Sequence, residues 1–221
     1  MFPAYLEKDN KKIKGTIMKI NDLLSFPLFS EELGIDLPRC CDHELFKWLL
    51  ASVLFGGPVS RDIARKTYRT FQKYLLTDPA RIIEAGRSFL VHPVMQEGGY
   101  VRHDGVAAAG ILELCNTLLN YYQGSLNQLH EAAADSEDLE NRITAMRGMD
   151  PLSANIFLRE LRPVWAKADP DPLPVVSEMA KKYKLDLTGM HPKDPAFTRV
   201  ESALIRLKRT RSKRSRPFAS A

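Results

Sequence analysis

The stretch ENRITAMRGMDPLSANIFLREL, residues 140–161, carries the punctuation that decides the fold. It reads as a helix that ends near Met146, a tight turn at Arg147-Gly148-Met149, and a second helix running to about Leu161, because Pro163 should end or kink it. Asp150 is placed to cap that helix and Pro151 to open it. A capping carboxylate accepts helix amides that have no partner, and a proline in the first position has no amide hydrogen to lose.

Working outward, helical signals continue on both sides. Upstream, SLNQLHEAAA and SEDLENRITAM read as short helices, the second with Ser136 as N-cap and Glu137 and Asp138 in its first turn, where the helix dipole favours carboxylates. Gly105 to Tyr122 is rich in Ala and Leu and stops at Gly124, as a long buried helix should. In DHELFKWLLASVLF the residues Leu45, Phe46, Leu49, Leu50, Val53 and Leu54 recur at helical spacing, with Asp42 as the expected N-cap and Gly56-Gly57-Pro58 as the stop. Ser60 then caps RDIARKTYRTFQKYLL, which is basic on one side, and Asp78-Pro79 opens a short helix ended near Gly86. Arg87 to Asp104, with Pro93 and Gly98-Gly99, reads as an irregular connection. Downstream, the proline-rich ADPDPLP, residues 168–174, is the clearest boundary. A helix around SEMAKKYK and a last one, PAFTRVESALIRLKR, follow it, and the first forty residues also look helical. No run alternates as a strand would, so the expected class is all-α.

The chain has 221 residues, of which 44% are hydrophobic and 27% charged, the composition of an ordinary globular protein. No apolar run approaches the roughly 20 residues needed to span a bilayer, and the opening MFPAYLEKDNKK is charged where a signal peptide would be apolar. The expected setting is therefore cytoplasmic or nucleoid-associated. Three cysteines, Cys40, Cys41 and Cys115, supply neither a disulfide framework nor the four ligands of an iron–sulfur cluster. Cys40, Cys41 and His43 are too nearly adjacent for good metal geometry and read better as buried or partly buried thiols; no metal or cofactor is expected.

The net charge is +5, unevenly placed. Arg206, Lys208, Arg209, Arg211, Lys213, Arg214 and Arg216 supply seven positive charges with no acidic residue after Glu201; subtracting those seven leaves the rest at −2. Such an arm attracts phosphates without regard to base sequence, or serves as a solvated tail.

The residues quoted first resemble the helix-hairpin-helix of endonuclease III-like DNA glycosylases, with Met146, Gly148, Met149, Ala154 and Asn155 at the expected places. The segment LFKWLLASVLFGGPVSRDIARKTYRTF is similar to that family's first barrel helix, DNA-inserting loop and following helix. GYVRHDGVAAAGILELCNTLLNYYQG is similar to the long helix before the hairpin. Together these cover roughly residues 43–185. The resemblance implies a two-lobed fold. A six-helix barrel-like domain would span residues 43–168, with its hairpin near 146–152, and a second lobe would combine residues 1–42 and 169–207. A basic tail would occupy 208–221.

It also implies a monomer that binds double-stranded DNA. Gly148 and Met149 would present backbone amides to a phosphate, with a bridging monovalent cation. Gly57, Val59 and Ser60 would form the inserting loop, and Lys208, Arg209, Arg211, Lys213 and Arg214 would add phosphate contacts. Tyr100, Arg102 and His103 would line a base pocket. Catalysis in the family uses an aspartate beyond the hairpin, for which Asp171 and Asp169 compete; spacing back from Tyr183 and Leu185 favours Asp171, which would also cap the next helix. A solvated Asp-Pro linker explains both equally well.

The chain departs from the pattern at three points. Leucine 152 stands where strand-cutting members carry the lysine that forms a Schiff base, so that step should be absent. Asp150 replaces the hairpin's second glycine, favouring a structural role for the turn, and no glutamine is present in the Gly56–Ser60 loop. The expected activity is a monofunctional DNA glycosylase hydrolysing the bond between a damaged or mismatched base and its sugar. Alternatives are a non-catalytic DNA-binding member of the same fold and a helical protein-interaction module.

Overall fold

A computed structural model of the chain describes residues 18–208, and every regular element among them is helical. Two short helices, α1 (Ile20–Leu24) and α2 (Phe29–Glu32), lead through a single turn at Leu37–Arg39 into α3 (Asp42–Gly56). Then come α4 (Arg61–Lys73), α5 (Pro79–Phe89), α6 (Asp104–Tyr122), α7 (Leu126–Ala132) and α8 (Ser136–Thr144). The series closes with α9 (Pro151–Leu161), α10 (Pro174–Tyr183) and α11 (Pro195–Leu207). None of these helices is long and apolar enough to cross a membrane.

The helix starts follow from side-chain caps. Ser60, Asp78 and Asp150 accept amides in the first turns of α4, α5 and α9, as their positions before each helix predict. At α8 the cap is Asp135, which accepts from the Asp138 amide, so Ser136 is the first helical residue and not the cap. Asp42 likewise lies inside α3, where its carboxylate accepts from the Asn127 amide at 3.0 Å and fastens α7 to the start of α3. The connection from Arg87 to Asp104 contains wound turns, Leu90–Met95 and Gln96–Gly98, where an irregular path was expected. Gly86, at φ +71°, breaks the helical path just before them.

Two separate cores hold the helices. The larger is centred on α3, whose Leu45, Trp48, Leu49 and Leu54 are sealed from solvent, and it extends through Phe71, Leu118, Ile143 and Phe157 to Ala168. Trp48 Nε1 donates to the Phe157 carbonyl at 3.0 Å, joining α3 to α9. The smaller core combines Leu23 of α1 with Val176, Met179 and Ala180 of α10 and Val200, Ala203 and Leu204 of α11. Phe29, Leu33, Ile35 and Leu37 pack into the larger core, so the division falls between Phe26 and Phe29 where the sequence suggested residue 42. The cause is Glu160 of α9, whose buried carboxylate accepts the amides of Phe29 and Ser30, each at 3.0 Å, and draws α2 onto the larger body.

Candidate functional site

Between α8 and α9 the chain makes a four-residue turn closed by the Met149 amide donating to the Met146 carbonyl at 3.0 Å. Gly148 sits third in it at φ +94°, a conformation that other residues adopt only under strain. A Cβ there would also lie 3.0 Å from the Gly110 carbonyl carbon in α6, so the turn rests directly on the long helix, glycine against glycine. Asp150 accepts from the Ser153 amide at 2.7 Å, which uses one carboxylate oxygen as the helix cap.

This turn forms one wall of a cleft of about 460 Å³. The end of α3 and the following loop, through Val53, Gly57 and Pro58, form a second wall. The start of α6 and the residues before it, Tyr100, His103, Val106 and Gly110, form a third. Three segments far apart in sequence therefore meet at one site. Tyr100 is buried, only 2% exposed, and its hydroxyl lies 1.9 Å from where a Cβ on Gly57 would stand, so only glycine leaves room for it. Burial, and after it the charge of Asp150, raises the Tyr100 pKa and keeps the phenol protonated.

The expected site residues divide between this cleft and the rest of the molecule. Gly57, Tyr100, His103, Gly148 and Met149 line it, joined by Asp150, which the sequence offers only as a helix cap. Met149 turns its side chain into the larger core and spends its amide on the turn. Val59 packs against the same core, and the Ser60 hydroxyl caps α4. Arg102 is exposed and lies outside the cleft lining. Lys208 pairs with Glu178 at 2.6 Å, on the smaller lobe. Arg209, Arg211, Lys213 and Arg214 lie outside the described residues.

Asp169 and Asp171 are exposed and also lie outside the cleft lining. Neither caps α10, which begins at Pro174 after Leu173. Their loop is nonetheless firmly held. Asn155 Nδ2 donates to the Asp171 carbonyl at 2.8 Å, and the buried Arg162 guanidinium donates to the Pro170 carbonyl and approaches the Asp169 carboxylate at 3.7 Å. The first anchor lies in α9, the second helix of the hairpin, and the second is the residue that ends it. Arg162 in turn pairs with the fully buried Glu201 of α11. Sequence reading missed Arg162, Glu160 and Glu201, because partners separated by dozens of residues leave no local spacing signal.

Family models, curated proteins and solved structures were compared with the chain, and none matches it.

Proposed function

We propose that the protein is a helix-hairpin-helix DNA-binding protein of the glycosylase type, which receives an extruded nucleotide of duplex DNA in the hairpin cleft. The observation that carries this reading is the meeting of hairpin, α3–α4 loop and α6 start around one space of about 460 Å³. Those are the three segments whose sequences resemble the family, and the space exceeds the size of a single nucleobase. As an enzyme it is a monofunctional glycosylase, in which Asp171 or Asp169 favours the cationic transition state at the sugar. No lysine at position 152 is available for a strand-cutting step.

A second reading, duplex recognition without base removal, is favoured by the position of the two aspartates outside the cleft lining. It is favoured also by the turn and cap that occupy the Met149 amide and one Asp150 oxygen. Duplexes carrying single mismatched or damaged bases separate the two. The enzymatic reading expects base release that falls on the order of a hundredfold or more in Asp171→Asn or Asp169→Asn. Tight binding with no release across the panel leaves the recognition reading. Failure to bind any duplex rejects both in favour of a helical interaction module.

A further inference from the structure

The hairpin carries an aspartate where a phosphate-contacting turn would want no negative charge, and that aspartate faces the same cleft as a buried phenol. Asp150 has one carboxylate oxygen fixed by the Ser153 amide at 2.7 Å, which leaves the second free to accept another hydrogen bond. Its charge is not taken up by the neighbouring Arg147, whose guanidinium pairs with Glu113 on α6. Tyr100 is only 2% exposed, and its hydroxyl makes no hydrogen bond to any of the described residues. That hydroxyl nevertheless is not sealed, and it occupies the space beside Gly57 at the cleft wall. A phenol donor and a carboxylate acceptor thus border one cavity among apolar neighbours such as Val53 and Ala107.

We infer that Tyr100 and Asp150 form a donor–acceptor pair that reads the edge of a planar heterocycle, one offering a ring acceptor to the phenol and an N–H donor to the carboxylate. This rests on the reading that the cleft receives a nucleobase, and it adds the residues that read it and the edge they select. The carboxylate disfavours a phosphate in the same space through like-charge repulsion, so the cleft takes the base and leaves the backbone outside. The raised pKa of Tyr100 keeps its proton available for donation at any ordinary pH. Asp150 is itself exposed, so a ring that covers its free oxygen without offering a donor strips water from a charge and returns nothing, which is the costly case for a charged group.

The test uses small ligands, so that it does not depend on duplex binding. The full chain is titrated with 9-methyladenine, which has an amino donor beside a ring acceptor, and with 9-methylpurine, which has the acceptor alone. Binding is followed by calorimetry and by NMR shifts of the cleft amides. The expectation is that 9-methyladenine binds about tenfold or more tightly than 9-methylpurine, the difference a hydrogen bond to a charged group commonly makes. Asp150→Asn and Tyr100→Phe should each lose about that factor for 9-methyladenine, and Asp150→Asn should narrow the gap between the ligands. The comparison on the unaltered chain keeps the test decisive if a variant folds poorly. Equal affinity for the two ligands, shifts outside the cleft, or no binding by a chain that does bind duplex would overturn the pair. Selective ligand binding without duplex binding would uphold the pair and reject the DNA reading.

Discussion

Arg162 and Glu201 form an ion pair with both side chains sealed from solvent, and through it the residue that ends α9 of the larger body is tied to α11 of the smaller one. The same guanidinium holds the Pro170 carbonyl, so the proline-rich link between the two cores is fastened at the point where they meet. A lone buried charge is far costlier than a buried pair. Glu201→Ala or Arg162→Ala should therefore destabilise the fold by about 3–5 kcal/mol, read from urea unfolding. The double replacement Arg162→Met with Glu201→Leu should cost much less than the sum. Additive losses would show that the pair acts through something other than mutual neutralisation.

The crossing of Gly148 over Gly110 makes the hairpin sensitive to a single methyl group. Gly148→Ala meets both a positive φ and the Gly110 backbone at 3.0–3.3 Å. It should cost about 1–3 kcal/mol or more, since left-handed backbone and overpacking each cost in that range. Gly189→Ala meets nothing within 4 Å and serves as the control, with little change in thermal midpoint.

Acid should loosen the contacts made by the N-terminal segment. Against the desolvation of partial burial, hydrogen bonds from Arg199 and the Leu28 amide hold the Glu31 carboxyl below its ordinary value. Hydrogen bonds from Lys47 and the Asp36 amide do the same for Glu44. A carboxyl whose folded pKa is depressed stabilises the fold above its unfolded value and loses that contribution as pH falls through the folded one. Burial, together with Lys167, also lowers the His130 pKa, so stability should begin to decline as pH drops below the ordinary histidine value and fall further below the glutamate range. Glu31→Gln should flatten the lower part of that decline, whereas an unaltered profile would place the acid sensitivity elsewhere.

Leucine 152 is 42% exposed at the start of α9 and carries no amine. Borohydride treatment of the protein on an abasic-site duplex should trap no covalent adduct. An adduct mapping to α9 would overturn the correspondence between this hairpin and the family's.

Truncation after Leu207 removes six of the seven C-terminal positive charges, among them Lys208, whose partner Glu178 stays behind. Duplex binding should weaken and its logarithmic dependence on salt should become shallower, because fewer counterions are released. Unchanged affinity and slope would assign the arm to solubility.

The all-helical class and most helix boundaries were legible because they are local. Gly148, Asp150 and Pro151 each impose a backbone requirement on their own turn, and the hairpin forms as they dictate. The Asp135 cap was harder to read, since Asp135 and Ser136 are adjacent residues that both favour that position. Tyr100 and His103 were legible as neighbours of the long helix. What sequence could not supply was the choice among carboxylates, because Asp150 reads as a cap from spacing alone and its second oxygen becomes relevant only once the cleft closes around it. Asp169 and Asp171 correspond to the family's aspartate only through the resemblance, and Asn155 and Arg162 hold their loop outside the lining.

The smaller core has a consequence for the order in which the chain can assemble. Leu23 belongs near the beginning and Val200, Ala203 and Leu204 near the end, yet they share one buried cluster. On a ribosome, the larger body from Phe29 to Ala168 can close while α1 still lacks its partners, and the cluster around Leu23 is complete only after α10 and then α11 emerge. α11 is thus the latch of the fold, and a chain stopped before Pro195 leaves Leu23 with nothing from α11 to pack against.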